Sequence, residues 1–403
     1  MIRWRRRQFN SSWTPAQYAR FLALLERRFG EPNQFRLSET PIFLPAALVG
    51  RMARYGCEMV EQLLANPEYQ RASREAIPER YRVPREDPTP LFVQADFGLD
   101  ENLEPKLVEI QGFPSLYAYQ PVLADAYREA FAIDSGLSAL PDGLTDATYS
   151  AGLREAIVGK HDPETVVLLE IDPWNQKTRH DFTATEQLLG VRAVDVRAVE
   201  RRGRGLYYDR DGRPTPIRRI YNRVIVDELE RRRMAIPFDY RDDMDVEWAG
   251  HPNWFFRLSK FSLPYLDHPA APEARFLHEA GAAARHPEDY VLKPLYSFAG
   301  LGVVVGPSAE QIREIPEEQR PNYLLQKRVN FRPVVETPFG PTKIEVRIMY
   351  LWQDRLRPVN TILRMGRGAQ MGVDHNKAME WVGASAAFLD PGGDDDLPVP
   401  GQL

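Results

Sequence analysis

ADFGLDENLEPKLVEIQGFPS, residues 95–115, is the stretch on which the reading of this chain turns. Two apolar runs, LFVQADFGL (91–99) and KLVEIQGF (106–113), flank the polar DENLEP. That pattern reads as a β-hairpin or two neighbouring strands. Asp96, Glu109 and Gln111 are three oxygen donors inside those runs. Glu109 and Gln111 are two positions apart, so on a strand they face the same side. A carboxylate buried without a partner is costly, so a nearby cation is expected. Hard oxygen ligands of this kind suit Mg²⁺ bridging phosphates. A structural bridge from Glu109 to a lysine or arginine is the alternative.

The second informative stretch is VLKPLYSFAGLGV, residues 291–303. A strand delivers Lys293, and a loop with Ser297, Gly300 and Gly302 follows before another apolar run. Small residues let backbone N–H groups approach phosphate oxygens, and the lysine adds a point charge. An ordinary glycine hairpin with a surface lysine has the same pattern. A dinucleotide fingerprint is excluded by context, because its glycines open a helix. In NYLLQKRVNF (322–331) an apolar strand breaks at Gln326 and Lys327, where backbone groups can meet an adenine edge. An edge strand reads the same way.

KIEVRIMYLW (343–352) places Glu345 and Arg347 on one strand face, and Arg364 and Arg367 flank the next turn. Arginines so placed can bind phosphate or carboxylate in a bidentate manner, or form strand-face salt bridges. Asp374 and Asn376 form a second acid-x-Asn pair that rivals Glu109 and Gln111. Arg223, Arg364 and Arg367 are candidates for an acidic substrate group, with structural salt bridges the alternative for each. The seven histidines show no HExxH spacing.

The remainder supplies context. A chain of 403 residues is long enough for two or three domains. A formal charge of −5 argues against nucleic-acid binding. A single cysteine, Cys57, excludes an intrachain disulfide and fits a cytoplasmic location. No run approaches the roughly 20 apolar residues of a membrane span. The basic start, MIRWRRRQFNSSW, reads as a solvated arm. Thr14 with Gln17 forms a capping box before an amphipathic helix over 18–29, and a second helix fits 44–64. Pro78–Pro90 reads as a loop and Ser115–Phe131 as a helix. TVVLLEI (165–171) has the continuous apolar character of a buried parallel strand. Asp181 is placed to cap a helix through Leu189, and 191–198 reads as a further strand. GLYYD, DG and PTPI suggest a hairpin.

Together these pieces resemble the ATP-grasp superfamily. LVEIQGFPS precedes VLKPLYSFAGLGV, an order similar to that of circularly permuted members such as the synthetase part of glutathionylspermidine synthase. The thirteen positions from Asp96 to Glu109 resemble the spacing of that family's metal motif. The resemblance implies an α/β (α+β) fold. It divides the chain into a helical region (1–90), a permuted metal-binding part (91–160), a pre-ATP-grasp-like α/β domain (161–250), a nucleotide-binding part (251–388) and a flexible tail (389–403). It implies an ATP- and Mg²⁺-dependent ligase joining a small-molecule or peptide carboxylate to an amine through an acyl phosphate. Lys293 would hold phosphates, and Ser297, Gly300 and Gly302 would cover them. Gln326 and Lys327 would line the adenine pocket, Lys260 would be a further ATP-binding lysine, and Arg347 would face the moving phosphoryl group. Asp96, Glu109 and Gln111 would hold the metal. Gln111 stands where the family has asparagine, and Gln94 where it often has arginine. Those departures keep open a catalytically altered nucleotide-binding protein. A small-molecule kinase on the same fold is a third reading. Nothing resembles the amidase half of glutathionylspermidine synthase.

Overall fold

The computed structural model describes residues 1–281, 285–297 and 300–393, apart from the side chain of residue 374. The fold is mixed α/β (α+β), with helices laid over several sheets. At its centre lies a five-stranded antiparallel sheet. Its strands run in the order Gly383–Ser385, Leu356–Gly366, Lys343–Trp352, Phe92–Leu99, Pro105–Gln111. The hairpin read from 91–113 therefore forms, but its first strand is internal. Both faces of Phe92–Leu99 are covered, and all eight of its residues are buried.

The N-terminal helices cover one face of this sheet. Pro15–Phe29 begins at the Thr14–Gln17 capping box and buries Phe21 and Leu25. The helix expected from 44 begins at Ala46. The residues before it, Ile42–Pro45, form a strand parallel to Ala387–Asp390. The start MIRWRRRQFNSSW is no solvated arm. Arg3–Ser12 is a helix, with Ile2 and Phe9 in the main core. Arg6 is buried with its guanidinium over the Phe9 ring, and it donates to the Thr40 hydroxyl and the Pro41 carbonyl. Part of the expected tail is structured too, through Asp390. Residues 394–403 lie outside the described residues.

A parallel sheet in the order Glu247–Ala249, Arg219–Asn222, Val166–Glu170, Arg192–Asp195 forms from the middle of the chain. The strand expected over 191–198 ends at Asp195 and gives way to a 3₁₀ turn. The hairpin Gly205–Arg210 with Arg213–Ile217 forms as read. Asp181 does not cap the helix in which it lies. That helix spans Arg179–Leu189, and Asp181 turns outward to accept from the backbone N–H groups of Leu116, Ala118 and Tyr119. Those three bonds shape the loop after Phe113. The helix expected from Ser115 accordingly begins at Tyr119. A third sheet, in the order Ala274–Phe276, Tyr323–Lys327, Tyr290–Pro294, Val304–Val305, carries Lys293.

Candidate active site

The register of the central sheet assembles the site. Asp96 lies opposite both Arg347 and Glu109, Gln94 opposite Gln111, and Glu345 opposite Arg364. Directly paired residues share a face, so these side chains converge on one side of the sheet. A bulge falls after Asp96, where Asp96 pairs with Glu109 and Phe97 pairs with Leu107. Val108 is left without a ladder partner. Its carbonyl instead accepts from Lys293 Nζ at 2.7 Å, across 185 positions of sequence. The same ammonium donates to Gln326 Oε1 at 2.5 Å, and Gln326 Nε2 donates to the Leu107 carbonyl at 3.2 Å. The front hairpin and the lysine strand are thus joined directly.

Lys293 is buried, which lowers its pKa to about 8, with Glu109 opposing the shift. Lys260 donates to the Ser297 carbonyl at 2.6 Å and lies 3.6 Å from Glu109. Gly302 has φ +73°, and a Cβ there would lie 2.9 Å from Pro294 Cγ, so the turn accommodates glycine. Residues 298 and 299 of the expected phosphate loop lie outside the described residues. Lys327 is exposed, bonded to Asp289 at 3.1 Å and lying over the Tyr290 ring.

A cavity of about 590 Å³ runs through this junction. Lys260, Lys293, Gly300, Gln326 and Lys327 line it, as do Asp96, Glu109, Gln111 and Arg347. Ser297 and Gly302 are not among its lining residues; Ser297 reaches the site through its carbonyl, which accepts from Lys260. Leu107, Pro272, Val291, Val303 and Val305 provide an apolar stretch of wall. Nine lysines and arginines line the cavity against four aspartates and glutamates, an excess of five positive charges in a chain of net charge −5. Concentrated charge of one sign in a cleft attracts ligands of the opposite sign.

The donor set read as a metal site is differently employed. Asp96 Oδ1 accepts from Arg347 Nε at 2.5 Å, and Asp96 Oδ2 accepts from Arg347 Nη2 at 2.7 Å and Arg364 Nη2 at 2.8 Å. Burial alone would raise this carboxyl, but the two guanidiniums outweigh it and hold it below the usual range. Arg364 also pairs with Glu345 at 2.6 Å. Glu345 is pushed up by burial, against the pull of Arg364. Gln111 Nε2 donates to Gln94 Oε1 at 2.9 Å; turned about, its carboxamide oxygen would accept from Arg347 at 3.0 and 3.1 Å. Among the described residues no three His, Cys, Asp or Glu side chains are grouped to hold a metal. The three-donor set does not fit a metal ion as it stands. Glu109, paired only loosely with Lys260, is the carboxylate of that set that is open to one. In the rival pair, Asn376 is committed to backbone. Its Oδ1 accepts from Arg367 and Gly368 N–H, and its Nδ2 donates to the Gln370 and Gly372 carbonyls. The side chain of Asp374 lies outside the described residues.

Of the remaining arginine candidates, Arg223 lines the cavity and Arg367 does not. Arg223 is buried, donates to the Pro114 carbonyl and lies over Phe113. Arg367 is spent on Thr342 and the Glu380 carbonyl. Glu170 also lines the cavity, a residue not among the candidates drawn from the sequence. It ends strand Val166–Glu170 beside Arg223, at the carboxyl edge of the parallel sheet where ligands of open α/β sheets bind. Burial raises its pKa to about 8 against the influence of Arg223. A charged residue closing the apolar run TVVLLEI was the available signal.

No family model matches the chain, and no curated protein does. Solved structures do. The fold is similar to that of a glutathione synthetase like-effector, GSS30, from Globodera pallida, whose structure is of the apo form. The TM-score is 0.56 at 12% sequence identity, and the match covers 94% of this chain and 98% of the other. The likeness therefore spans nearly the whole molecule and is one of fold. Among the described residues no helix is long and apolar enough to cross a membrane.

Proposed function

We propose that the chain is an ATP-dependent ligase on a circularly permuted ATP-grasp fold, activating a carboxylate as an acyl phosphate and passing it to an amine. The observation that carries this reading is the cavity's excess of five positive charges around buried Lys293, beside an apolar wall. That combination suits a polyphosphate with a flat apolar base. The glutathione synthetase-like fold supports the same class.

In this reading the base lies along Val291, Val305 and Leu107, near Gln326 and Lys327. Lys293 and Lys260 meet the phosphate oxygens, and the Gly300–Gly302 turn lies over them. Glu109 would be the donor available to a magnesium ion carried with the nucleotide, which would neutralise phosphate charge. The substrate carboxylate attacks the γ-phosphorus, the bond to the β-phosphate oxygen breaks, and ADP leaves. The amine then attacks the acyl carbon, phosphate departs, and the amine proton is lost. The chain contributes position and a fixed positive field rather than a nucleophile. Arg223 and Glu170, which also line the cavity, would hold the acidic and amino groups of the joined substrates.

Trapping tests the reaction. With ATP, hydroxylamine and a panel of acids, the ligase reading expects ADP, free phosphate and a hydroxamate. A stable phosphorylated product would replace it with the kinase reading. Nucleotide binding without turnover across the panel would favour the catalytically altered protein, a reading that the arginine-bound state of Asp96 supports.

A further inference from the structure

The oxygen cluster on the central sheet already holds a cation. Arg347 donates to Asp96 through Nε and Nη2 and to Gln94 Oε1 through Nη1 at 2.9 Å. With its carboxamide turned about, the Gln111 oxygen would accept from Arg347 as well and complete the ring around it. We propose that the Arg347 guanidinium is the resident cation of the Asp96–Gln94–Gln111 cluster, so that Asp96 is a positioning residue for Arg347 and Glu109 alone meets a metal-bound phosphate. This rests on the nucleotide reading of the cavity.

Three features of the geometry support it. Asp96 and Arg347 are direct partners in the antiparallel register, so the backbone itself sets the pair. A planar guanidinium matches a carboxylate fork in two parallel bonds, which fixes its orientation as well as its charge. Both oxygens of Asp96 are used, the second one twice, and the side chain is buried. A Mg²⁺ ion demands oxygens at about 2.0–2.1 Å in near-octahedral array, and Arg347 stands where such an ion would have to approach Asp96. Charge balance gives the same result. Asp96 and Glu345 are matched by Arg347 and Arg364. Removing Arg347 leaves Arg364 bonded to Asp96 Oδ2 and frees Asp96 Oδ1 to meet another cation.

Manganese counting tests this on the full-length chain. Mn²⁺ is titrated alone and with ADP, and free ion is read by electron paramagnetic resonance. Asp96→Asn is expected to hold Mn²⁺ within about three-fold of the parent, and Glu109→Gln to lose at least about ten-fold, the scale of a lost ligand or close supporting contact. Arg347→Met is expected to gain a further Mn²⁺ that the double variant with Asp96→Asn lacks. The inference is overturned if Asp96→Asn weakens Mn²⁺ as much as Glu109→Gln, or if Arg347→Met gains no ion. Should Arg347→Met fail to fold, the comparison of Asp96→Asn with Glu109→Gln decides alone. Absence of ADP binding in every form removes the nucleotide reading instead; the arm with Mn²⁺ alone still shows whether Asp96 is a ligand.

Discussion

Replacing Lys293 with methionine should change how stability depends on pH, by an amount that the structure sets. The folded chain lowers the pKa of this lysine from 10.5 to about 8, because burial disfavours the ammonium more than Glu109 favours it. The unfolded chain binds that proton up to about pH 10.5, whereas the folded chain releases it near pH 8. Between those values the unfolded state holds more protons, so the contribution of Lys293 to stability rises with pH. The shift corresponds to about 3 kcal/mol in all, at about 1.4 kcal/mol per pKa unit. Below pH 8 the full penalty for burying the charge is present, and above pH 10.5 it is gone. Groups remote from Lys293 are alike in both proteins, so the difference between them reports Lys293 together with the charges it faces, Glu109 first among them. Urea denaturation at intervals from pH 7 to 10.5 measures that difference. The parent should gain about 3 kcal/mol relative to Lys293→Met across the range, most of it above pH 8. A constant difference would refute the claim that this ammonium is buried at the junction of the two sheets.

Gly56→Ala should lower stability by about 1–3 kcal/mol, read from the denaturant midpoint, even though alanine favours helix. Its Cβ would lie 2.0 Å from the hydroxyl of buried Tyr350, which donates to the Ala53 carbonyl. Asp181→Ala should cost about 3–5 kcal/mol, since three backbone N–H groups lose a buried carboxylate; a cost under about 1 kcal/mol would show that the loop after Phe113 is held by other means. Arg223→Met and Glu170→Gln should raise KM for the joined substrates and leave the KM for ATP near its parent value; the reverse pattern would move the acceptor site elsewhere.

The sequence carried the strands better than their partners. LFVQADFGL and KLVEIQGF are long, apolar and separated by a polar turn, so their pairing is local and legible. The strand Ile42–Pro45 was hidden, because four apolar residues ahead of a helix look like its first turn and their partner lies at Ala387–Asp390. The arginines of 3–7 masked a helix that buries Phe9 and follows buried Ile2, with Arg6 stacked on aromatic rings. At the site, residue types pointed to the right neighbourhood. The cavity gathers Lys260, Lys293, Gln326 and Glu109 from distant stretches. What spacing did not convey is who bonds whom. Asp96, Glu109 and Gln111 read as one donor set because strand periodicity gives their face. The arginines opposite them, Arg347 and Arg364, come from strands some 250 positions away and are set by register alone. Asp181 likewise looked like a helix cap, since nothing near it in sequence announces the N–H groups of the loop at 116–119.

Calorimetric titration of the magnesium complex of ADP into the parent chain and into Lys293→Ala decides whether the cavity holds a nucleotide at Lys293. Binding to the parent is expected, with at least about ten-fold weaker binding to the variant, the loss of a charged contact worth about 1.4 kcal/mol or more. Equal affinity in the two proteins, or no heat of binding to the parent, would contradict it.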